Sequence, residues 1–146
     1  TLASESRSVE INGDLRQAIT GDKPAAEKIN LRFVGVRGAD GTLSPVEINH
    51  DSPILLLGDS HTLVFHSGQD MLATGAGLAD QLALELGIAV DLIGVRGSGA
   101  TPARVNFMRE VRKDPGYLAK KKLVIWCFTG REFTEGSGWA KVPVVK

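Results

Sequence analysis

The chain has 146 residues, which suits one domain that buries about two thirds of the surface its unfolded form exposes. Basic residues (Lys and Arg) number 17, as do acidic residues, so the net charge gives no general attraction to nucleic acid or to an anionic membrane. Every apolar run is far shorter than the ~20 residues that a transmembrane helix requires. The chain starts at Thr1 without a methionine or a signal-peptide pattern, so we expect it to be a piece of a longer protein.

The amino-terminal segment, residues 1–50, is mostly polar and contains one predicted hairpin. Apolar and polar residues alternate over 29–36, a glycine-bearing turn follows at 38–41, and the chain returns over 43–48. We expect this segment to be an antiparallel appendage of the same domain and not part of a site. The α/β core is then expected over 51–146.

A buried strand is predicted over 54–57. Its four large aliphatic residues stand between a proline and a glycine, which is typical of a strand covered on both faces, as in parallel sheets. Asp59, Ser60 and His61 follow this strand directly. Because ligands of such sheets bind beyond the carboxyl ends of the strands, the sequence predicts a nucleophilic serine at position 60.

The next segment carries the pattern of an amphipathic helix. Leu78, Leu82 and Leu86 recur at helical spacing with Ala79 and Ala83 beside them, which predicts an apolar stripe facing the core. Asp80 and the polar residues near it are expected to face solvent. Gly87 is a suitable residue to end the helix.

Two more strands are predicted further along the chain. The first covers 90–95 and is followed by a glycine-bearing loop over 96–100 and by a helix capped by Thr101. The second covers 123–128. Strands that alternate with helices of this length predict an α/β fold with a parallel sheet.

Two reactive or charged features lie near the last strand. Cys127, the single cysteine, falls inside its apolar run and is expected to be a small buried residue rather than a reactive thiol. Lys120, Lys121 and Lys122 precede the strand, and we expect them to form a solvated approach rather than a binding patch. Neither feature therefore predicts a function.

The order and context of these motifs resemble the SGNH hydrolase superfamily. More specifically, the span from Leu55 through Trp139 is similar to the SGNH-type domain of the alginate O-acetyltransferase-like family. The matching pieces are Gly58-Asp59-Ser60-His61-Thr62, Gly97-Ser98-Gly99-Ala100-Thr101-Pro102-Ala103-Arg104, Val124-Ile125-Trp126 and Arg131-Glu132-Phe133. The resemblance implies a flavodoxin-like three-layer fold with a parallel central sheet, present here in part, to which the hairpin is an appendage.

An acyl-transfer site needs oxyanion donors as well as a nucleophile. Backbone N–H groups serve this purpose well, and glycine permits the close approach of backbone to substrate. We expect the donors to be the N–H of Ser60 and that of Gly97 or Gly99, while Asp59 supports the turn. The alternative is that the Gly-Ser-Gly sequence is only a tight turn from strand to helix.

None of the three histidines is a convincing base for the serine. His50 precedes the strand and is expected on the order of 20 Å from Ser60. His61 is its neighbour and cannot easily turn its ring into line, and His66 is expected to be a solvated loop residue. The resemblance implies an Asp-x-His pair on a separate segment before the nucleophile. We therefore expect that pair upstream of Thr1 and expect the chain alone to be inactive.

Two side chains are candidates for substrate binding. Arg131 follows the last strand at the carboxyl edge of the sheet, where its guanidinium can hold a carboxylate through two hydrogen bonds. Pairing with Glu132, Glu135 or Asp59 is the alternative. Trp139, in a glycine-rich loop, is a better candidate for stacking on a sugar than the tryptophan inside the strand. The resemblance implies an asparagine oxyanion donor near Arg131, and this segment has none.

The resemblance implies a serine-dependent O-acetyltransferase that acts on an exported polysaccharide through an acetyl-Ser60 intermediate. The alternatives are an SGNH esterase that removes acyl groups and a non-catalytic carbohydrate-binding domain. The expected partners are a polysaccharide acceptor and an acyl donor, and no cofactor or metal is expected. The resemblance alone implies a periplasmic or otherwise extracytoplasmic location.

Overall fold

The computed structural model describes residues 1–13, 19, 21, 25–97, 99–134 and 138–144, and within them two three-stranded sheets form the framework. The first sheet is antiparallel and consists of β1 (Leu2–Ile11), β2 (Glu27–Arg37) and β3 (Leu43–Pro45), in that order. The predicted hairpin is present as β2 and β3, but its return strand is shorter than 43–48. β1 was not predicted, and it pairs with β2 from one end to the other.

The second sheet is parallel and has β4 (Ile54–Gly58) at its centre. β5 (Asp91–Gly94) pairs with one side of β4, and β6 (Leu123–Cys127) pairs with the other. The central strand therefore comes first in this part of the chain, and the next two strands flank it. The predicted α/β class and parallel sheet are confirmed.

Helices connect and cover these strands. They are α1 (Leu78–Leu86), α2 (Ala100–Lys113), α3 (Tyr117–Lys120) and α4 (Arg131–Thr134), and 3-10 turns cover Ser60–Thr62 and Gln69–Met71. Gly87 ends α1 with a φ of 72°, a left-handed conformation that glycine adopts without strain. α2 begins earlier than predicted, because Gly99 rather than Thr101 precedes its first turn. Within the described ranges, no helix is long and apolar enough to cross a membrane.

The core lies on both faces of the parallel sheet. Leu55 and Leu57 point to the face covered by α2 and α3, and Leu56 points to the face covered by α1. The first cluster contains Leu55, Leu57, Ile93, Ala103 and Tyr117, and the second contains Leu56, Leu63, Ala79, Val90 and Leu92. Alternation along one strand thus builds two layers of helix around a single sheet.

The buried face of α1 differs from the prediction. Asp80 is 1% exposed, whereas Leu78 and Leu86 are 39% and 45% exposed. The helix packs through Ala79 and Ala83, as predicted, and these small side chains allow it to lie close to the sheet. The Asp80 carboxylate accepts the Gly77 N–H at 2.9 Å, so burial of this acid satisfies an otherwise unpaired donor at the helix start.

The antiparallel sheet packs against α1 and its preceding loop. The Val34 N–H donates to the Gly75 carbonyl at 2.7 Å. From the exposed face of β2, Arg32 bonds Gln81 at 2.6 Å and Glu85 at 2.8 Å. These contacts attach the amino-terminal segment to the α/β core.

Glycines at the carboxyl ends of β4 and β5 leave room for the turn that follows β4. Gly58 and Gly94 are register partners, and Thr62 and Leu63 occupy the space that side chains at these two positions would fill. Since Thr62 is fully buried, it has little freedom to move away. The sheet edge is therefore shaped for a turn that folds back over it.

We expect Gly58→Ala to lower the free energy of unfolding by about 1–3 kcal/mol, the usual cost of overpacking a buried site. The added methyl group would lie 2.7 Å from the Cys127 carbonyl oxygen and would also collide with Thr62. Urea unfolding measures the change. Gly87→Ala is not a suitable control because of its positive φ, but Gly130→Ala is, since nothing lies within 4 Å of its added methyl group. Equal stability of the two variants would contradict this account of Gly58.

Candidate active site

Ser60 is the first residue of the 3-10 turn that follows the central strand. Asp59 caps this turn, because its Oδ1 accepts the backbone N–H of His61 at 2.9 Å. The hydroxyl of Thr62 donates to the Asp59 carbonyl at 2.7 Å. These bonds fix the backbone around Ser60 at the carboxyl edge of the sheet, where the sequence predicted it.

Asp59 also contacts the imidazole ring of His61. The distance from His61 Nδ1 to Asp59 Oδ1 is 2.9 Å, with the aspartate side chain 4% exposed and the histidine side chain 60% exposed. Asp59 Oδ2 is buried and has no hydrogen-bond partner among the described residues. The prediction that Asp59 supports the turn agrees with its capping bond, but the pairing of its carboxylate with the His61 ring was not predicted.

A cavity of about 920 Å³ opens beside Ser60. It is lined by Ser60 and His61 after β4, by Arg131 after β6, by Val64 and residues 69–72, and by residues 10–13. From β4 the chain continues to β5 on one side and then to β6 on the other side, so a topological switch point lies between β4 and β6. Such a switch point is the usual ligand site of an open parallel sheet. The geometry therefore brings the predicted nucleophile and the predicted substrate-binding arginine to one cavity.

One wall of this cavity comes from the segment that was expected to lie outside the site. Glu10, Ile11, Asn12 and Gly13, at and just beyond the end of β1, line it. Sequence reasoning missed these residues, because β1 was not recognised as a strand. Residues 4–8 of this strand are all polar, so the alternation that marks a half-buried strand is missing from its middle.

Arg131 makes no ion pair with the residues that the structure describes, so Glu132 and Asp59 are not its partners here. The third predicted alternative, Glu135, lies outside the described residues. The two carboxylates that share the cavity have other partners. Glu10 lies 3.6 Å from the Lys28 ammonium, and Asp70 lies 3.0 Å from the Arg96 guanidinium. Among the residues that the structure describes, no carboxylate therefore competes with an anionic ligand for the Arg131 guanidinium.

Neither candidate glycine of the second loop lines the cavity. Gly97 has a φ of 71°, which explains why glycine suits this turn. Gly99 lies against the carboxylate of Glu132, which occupies the position that a side chain at residue 99 would take. Ser98, between them, lies outside the described residues. Their role as oxyanion donors stays a prediction.

Trp139 lies in an aromatic cluster beside β6 and does not line the cavity. Its ring centroid is 5.2 Å from that of Trp126 and 5.8 Å from those of Phe128 and Phe133. The Arg104 guanidinium lies 5.3 Å from its centroid, at the distance of a cation–π contact. Stacking of Trp139 on a sugar stays a prediction, and the structure does not bring this residue together with Ser60.

The other two histidines are held by buried aspartates away from Ser60. His50 Nδ1 lies 2.9 Å from Asp91, at the amino end of β5, so it occupies the opposite edge of the sheet, as expected. His66 Nδ1 lies 2.9 Å from Asp80, and its side chain is only 14% exposed, so the expected solvated loop histidine is in fact a structural one. Within the described ranges, no three His, Cys, Asp or Glu side chains cluster closely enough to hold a metal ion.

Cys127 is the last residue of β6 and packs against the core cluster that contains Leu56. Burial raises the pKa of its thiol, and the nearby Asp59 carboxylate raises it further. A thiol with a raised pKa carries little of the reactive thiolate form at neutral pH. The prediction of a structural cysteine agrees with this environment.

No protein-family model matches the sequence, and no curated protein matches it. Two solved structures share its fold. One is the O-acetyltransferase domain of Pseudomonas putida AlgJ, with a TM-score of 0.60 and 17% identity over 95% of this chain and 43% of that one. The other is Pseudomonas aeruginosa AlgX, with a TM-score of 0.50 and 20% identity over 84% of this chain and 27% of that one.

This chain spans less than half the length of either structure. At these identities the likeness shows the fold. It also agrees with the family that the motifs around Ser60 and Arg131 resemble. The chain therefore shares, in part, the α/β fold of the O-acetyltransferase domain of Pseudomonas putida AlgJ.

Proposed function

We propose that this chain carries the nucleophile and the acceptor pocket of a serine-dependent O-acetyltransferase. Ser60 takes an acetyl group from a donor and passes it to a hydroxyl of an exported polysaccharide. The observation that carries the proposal is the cavity at the switch point of the sheet, where Ser60 and Arg131 lie together in the fold of an O-acetyltransferase domain.

The chemistry requires two displacements at an acyl carbon. In the first, Ser60 Oγ bonds to the acetyl carbonyl carbon, its proton goes to a base, and the bond to the donor oxygen breaks. In the second, a sugar hydroxyl gives its proton to a base as its oxygen bonds to that carbon, the bond to Oγ breaks, and Oγ regains a proton. The oxyanion forms on the acetyl carbonyl oxygen, and the Ser60 N–H is our candidate donor to it.

The base for the first displacement is not supplied by His50 or His66, because both are bonded to aspartates away from Ser60. Neighbouring residues of a 3-10 turn project about 120° apart, which disfavours His61 in that role as well. We propose that an Asp-x-His pair of the full-length protein, preceding this segment, removes the Ser60 proton. Because the proposed acceptor is an exported polysaccharide, we also propose that the protein acts outside the cytoplasm.

Acetyl transfer from p-nitrophenyl acetate to a deacetylated alginate oligomer tests this function. The assay uses this chain and a version extended at its amino end into the parent sequence. We expect acetylated oligomer from the extended version. Release of acetate to water in place of transfer would favour the esterase alternative. Binding of the oligomer by a version that neither transfers nor hydrolyses would favour a carbohydrate-binding domain.

Arg131 is proposed to bind a carboxylate of the acceptor. We expect Arg131→Ala to raise the KM for the alginate oligomer about 10- to 100-fold, since a hydrogen bond to a charged group is worth roughly 1.5–3 kcal/mol. The KM for a neutral cello-oligosaccharide should change little. Arg112→Ala, in the last turn of α2, is the matched control because it removes a guanidinium from a helix that does not line the cavity. An equal effect of Arg131→Ala on both acceptors would contradict carboxylate binding.

A further inference from the structure

All three histidines of this chain form the same contact, a bond of about 2.9 Å from Nδ1 to the carboxylate of a buried aspartate. Only His61 makes it inside the cavity that holds Ser60. His66 is mostly buried, and His50 lies at the opposite edge of the sheet. His61 is therefore the histidine whose ring is held by an aspartate and is also accessible to a ligand in this cavity.

The Asp59 carboxylate fixes which nitrogen of His61 is free. Asp59 Oδ1 is an acceptor, and it already accepts the backbone N–H of His61, so the ring contact requires a proton on Nδ1. The second ring nitrogen, Nε2, then carries the lone pair in the neutral ring. A buried carboxylate that fixes the tautomer of an exposed imidazole is the arrangement found in general bases.

The target of this base is not the Ser60 hydroxyl, because the two side chains leave consecutive positions of a 3-10 turn in different directions. The cavity nevertheless exposes both residues to the same ligand. A sugar that places one hydroxyl on an acyl group at Ser60 can place that hydroxyl next to His61 as well. The remaining proton of the reaction is the one on the acceptor hydroxyl.

We propose that His61 is the general base of the second displacement, and this inference rests on the proposed function. His61 Nε2 takes the proton of the acceptor hydroxyl while the acceptor oxygen bonds to the acetyl carbon. As the tetrahedral intermediate collapses, the bond to Ser60 Oγ breaks, the Asp-x-His base that took the Ser60 proton in the first displacement returns it to Oγ, and His61 releases its own proton to solvent. Free serine and neutral His61 are restored, so protons and bonds balance. Asp59 is a positioning residue, which holds the ring and fixes its tautomer.

The test separates the two displacements by kinetics. With p-nitrophenyl acetate, the initial burst of p-nitrophenolate reports acylation of Ser60, and acetylation of the alginate oligomer reports transfer. The assay uses this chain and the amino-terminally extended version. We expect His61→Gln to keep the burst and to slow transfer about 100-fold, the usual contribution of general base catalysis. The acetyl-enzyme should accumulate, as seen by intact mass.

His50→Gln is the matched control. Its ring makes the same 2.9 Å contact with a buried aspartate and is 66% exposed, but it lies away from the cavity. We expect this variant to acylate and to transfer at the rate of the unaltered protein. A second variant, His61→Ala, leaves space at the mouth of the cavity, and added imidazole should restore part of its transfer rate. If His61 were only structural, added imidazole would not restore the transfer rate of His61→Ala.

Each outcome decides between the two proposals. A normal burst with normal transfer in His61→Gln overturns the role of His61 and leaves the proposed function intact. Loss of the burst in that variant, with an unchanged melting temperature, moves His61 to the first displacement and also overturns the inference. No burst in any version, or the same burst in Ser60→Ala, overturns the proposed function and the inference with it.

Discussion

Replacing Ser60 by alanine is expected to abolish acetyl transfer in the version of the protein that carries it out. The loss should exceed about 10³-fold, because removal of the nucleophile eliminates the covalent intermediate. Stability should change by less than about 0.5 kcal/mol, since the turn is held by the backbone of Ser60 and by the side chains of Asp59 and Thr62. Transfer assays and urea unfolding on the same preparations measure both quantities.

Ser67→Ala is a suitable control for this variant. Ser67 is exposed, lies in the same connection between β4 and α1, and does not line the cavity. We expect it to keep full activity. Retention of more than a tenth of the transfer rate by Ser60→Ala would rule out an acetyl-Ser60 intermediate.

The largest effect on stability is expected at Lys121, which was predicted to be solvated. Its side chain is 3% exposed, and its Nζ lies 2.7 Å from the fully buried carboxylate of Asp91. The same Nζ donates to the carbonyls of His50 at 2.7 Å and of Ser52 at 2.9 Å. Lys121 therefore neutralises a buried acid and joins the starts of three strands at the amino edge of the sheet.

Lys121→Met should lower the free energy of unfolding by about 3–5 kcal/mol, the typical cost of leaving one charge of a buried pair unpaired. Tyr117 would still donate its hydroxyl to Asp91, but this hydroxyl is no replacement for a cation. Burial, and then the bond to Asp91, raise the pKa of Tyr117 well above its usual range. Urea unfolding with a fixed m-value measures the loss.

Two further variants make the test specific. Lys122→Met alters the exposed neighbouring lysine and should change stability by less than about 0.5 kcal/mol. Asp91→Asn combined with Lys121→Met removes both charges and should recover part of the loss, because no unpaired ion stays buried. Equal effects of Lys121→Met and Lys122→Met would contradict a structural ion pair.

The parallel sheet was predictable because its strands have strong local patterns. The aliphatic run of β4 and its terminal glycine both place Ser60 at the sheet edge, and the order of motifs indicated the fold that the AlgJ domain shares. The end of α1 was predictable for a similar reason, because a glycine that ends a helix is recognised from its immediate neighbours. These predictions needed information from only a few neighbouring residues.

The features that the sequence did not indicate depend on residues far apart in the chain. Lys121 and Asp91 are separated by 30 positions, so a run of three lysines gave no sign that its middle member is buried. Periodicity assigned Asp80 to the solvent face, but its carboxylate is buried because it accepts the Gly77 N–H and contacts the His66 ring. The cavity wall formed by residues 10–13 depends on the pairing of β1 with β2.

The central claim is that Ser60 carries the acetyl group, and the most direct test is to locate that group. The amino-terminally extended protein is incubated with p-nitrophenyl acetate, quenched in acid, digested and analysed by peptide mass spectrometry. We predict one acetyl group on Ser60, which disappears when the alginate oligomer is added before quenching. Acetyl groups confined to lysines, or a Ser60 adduct that the oligomer does not remove, would contradict the proposed transfer mechanism.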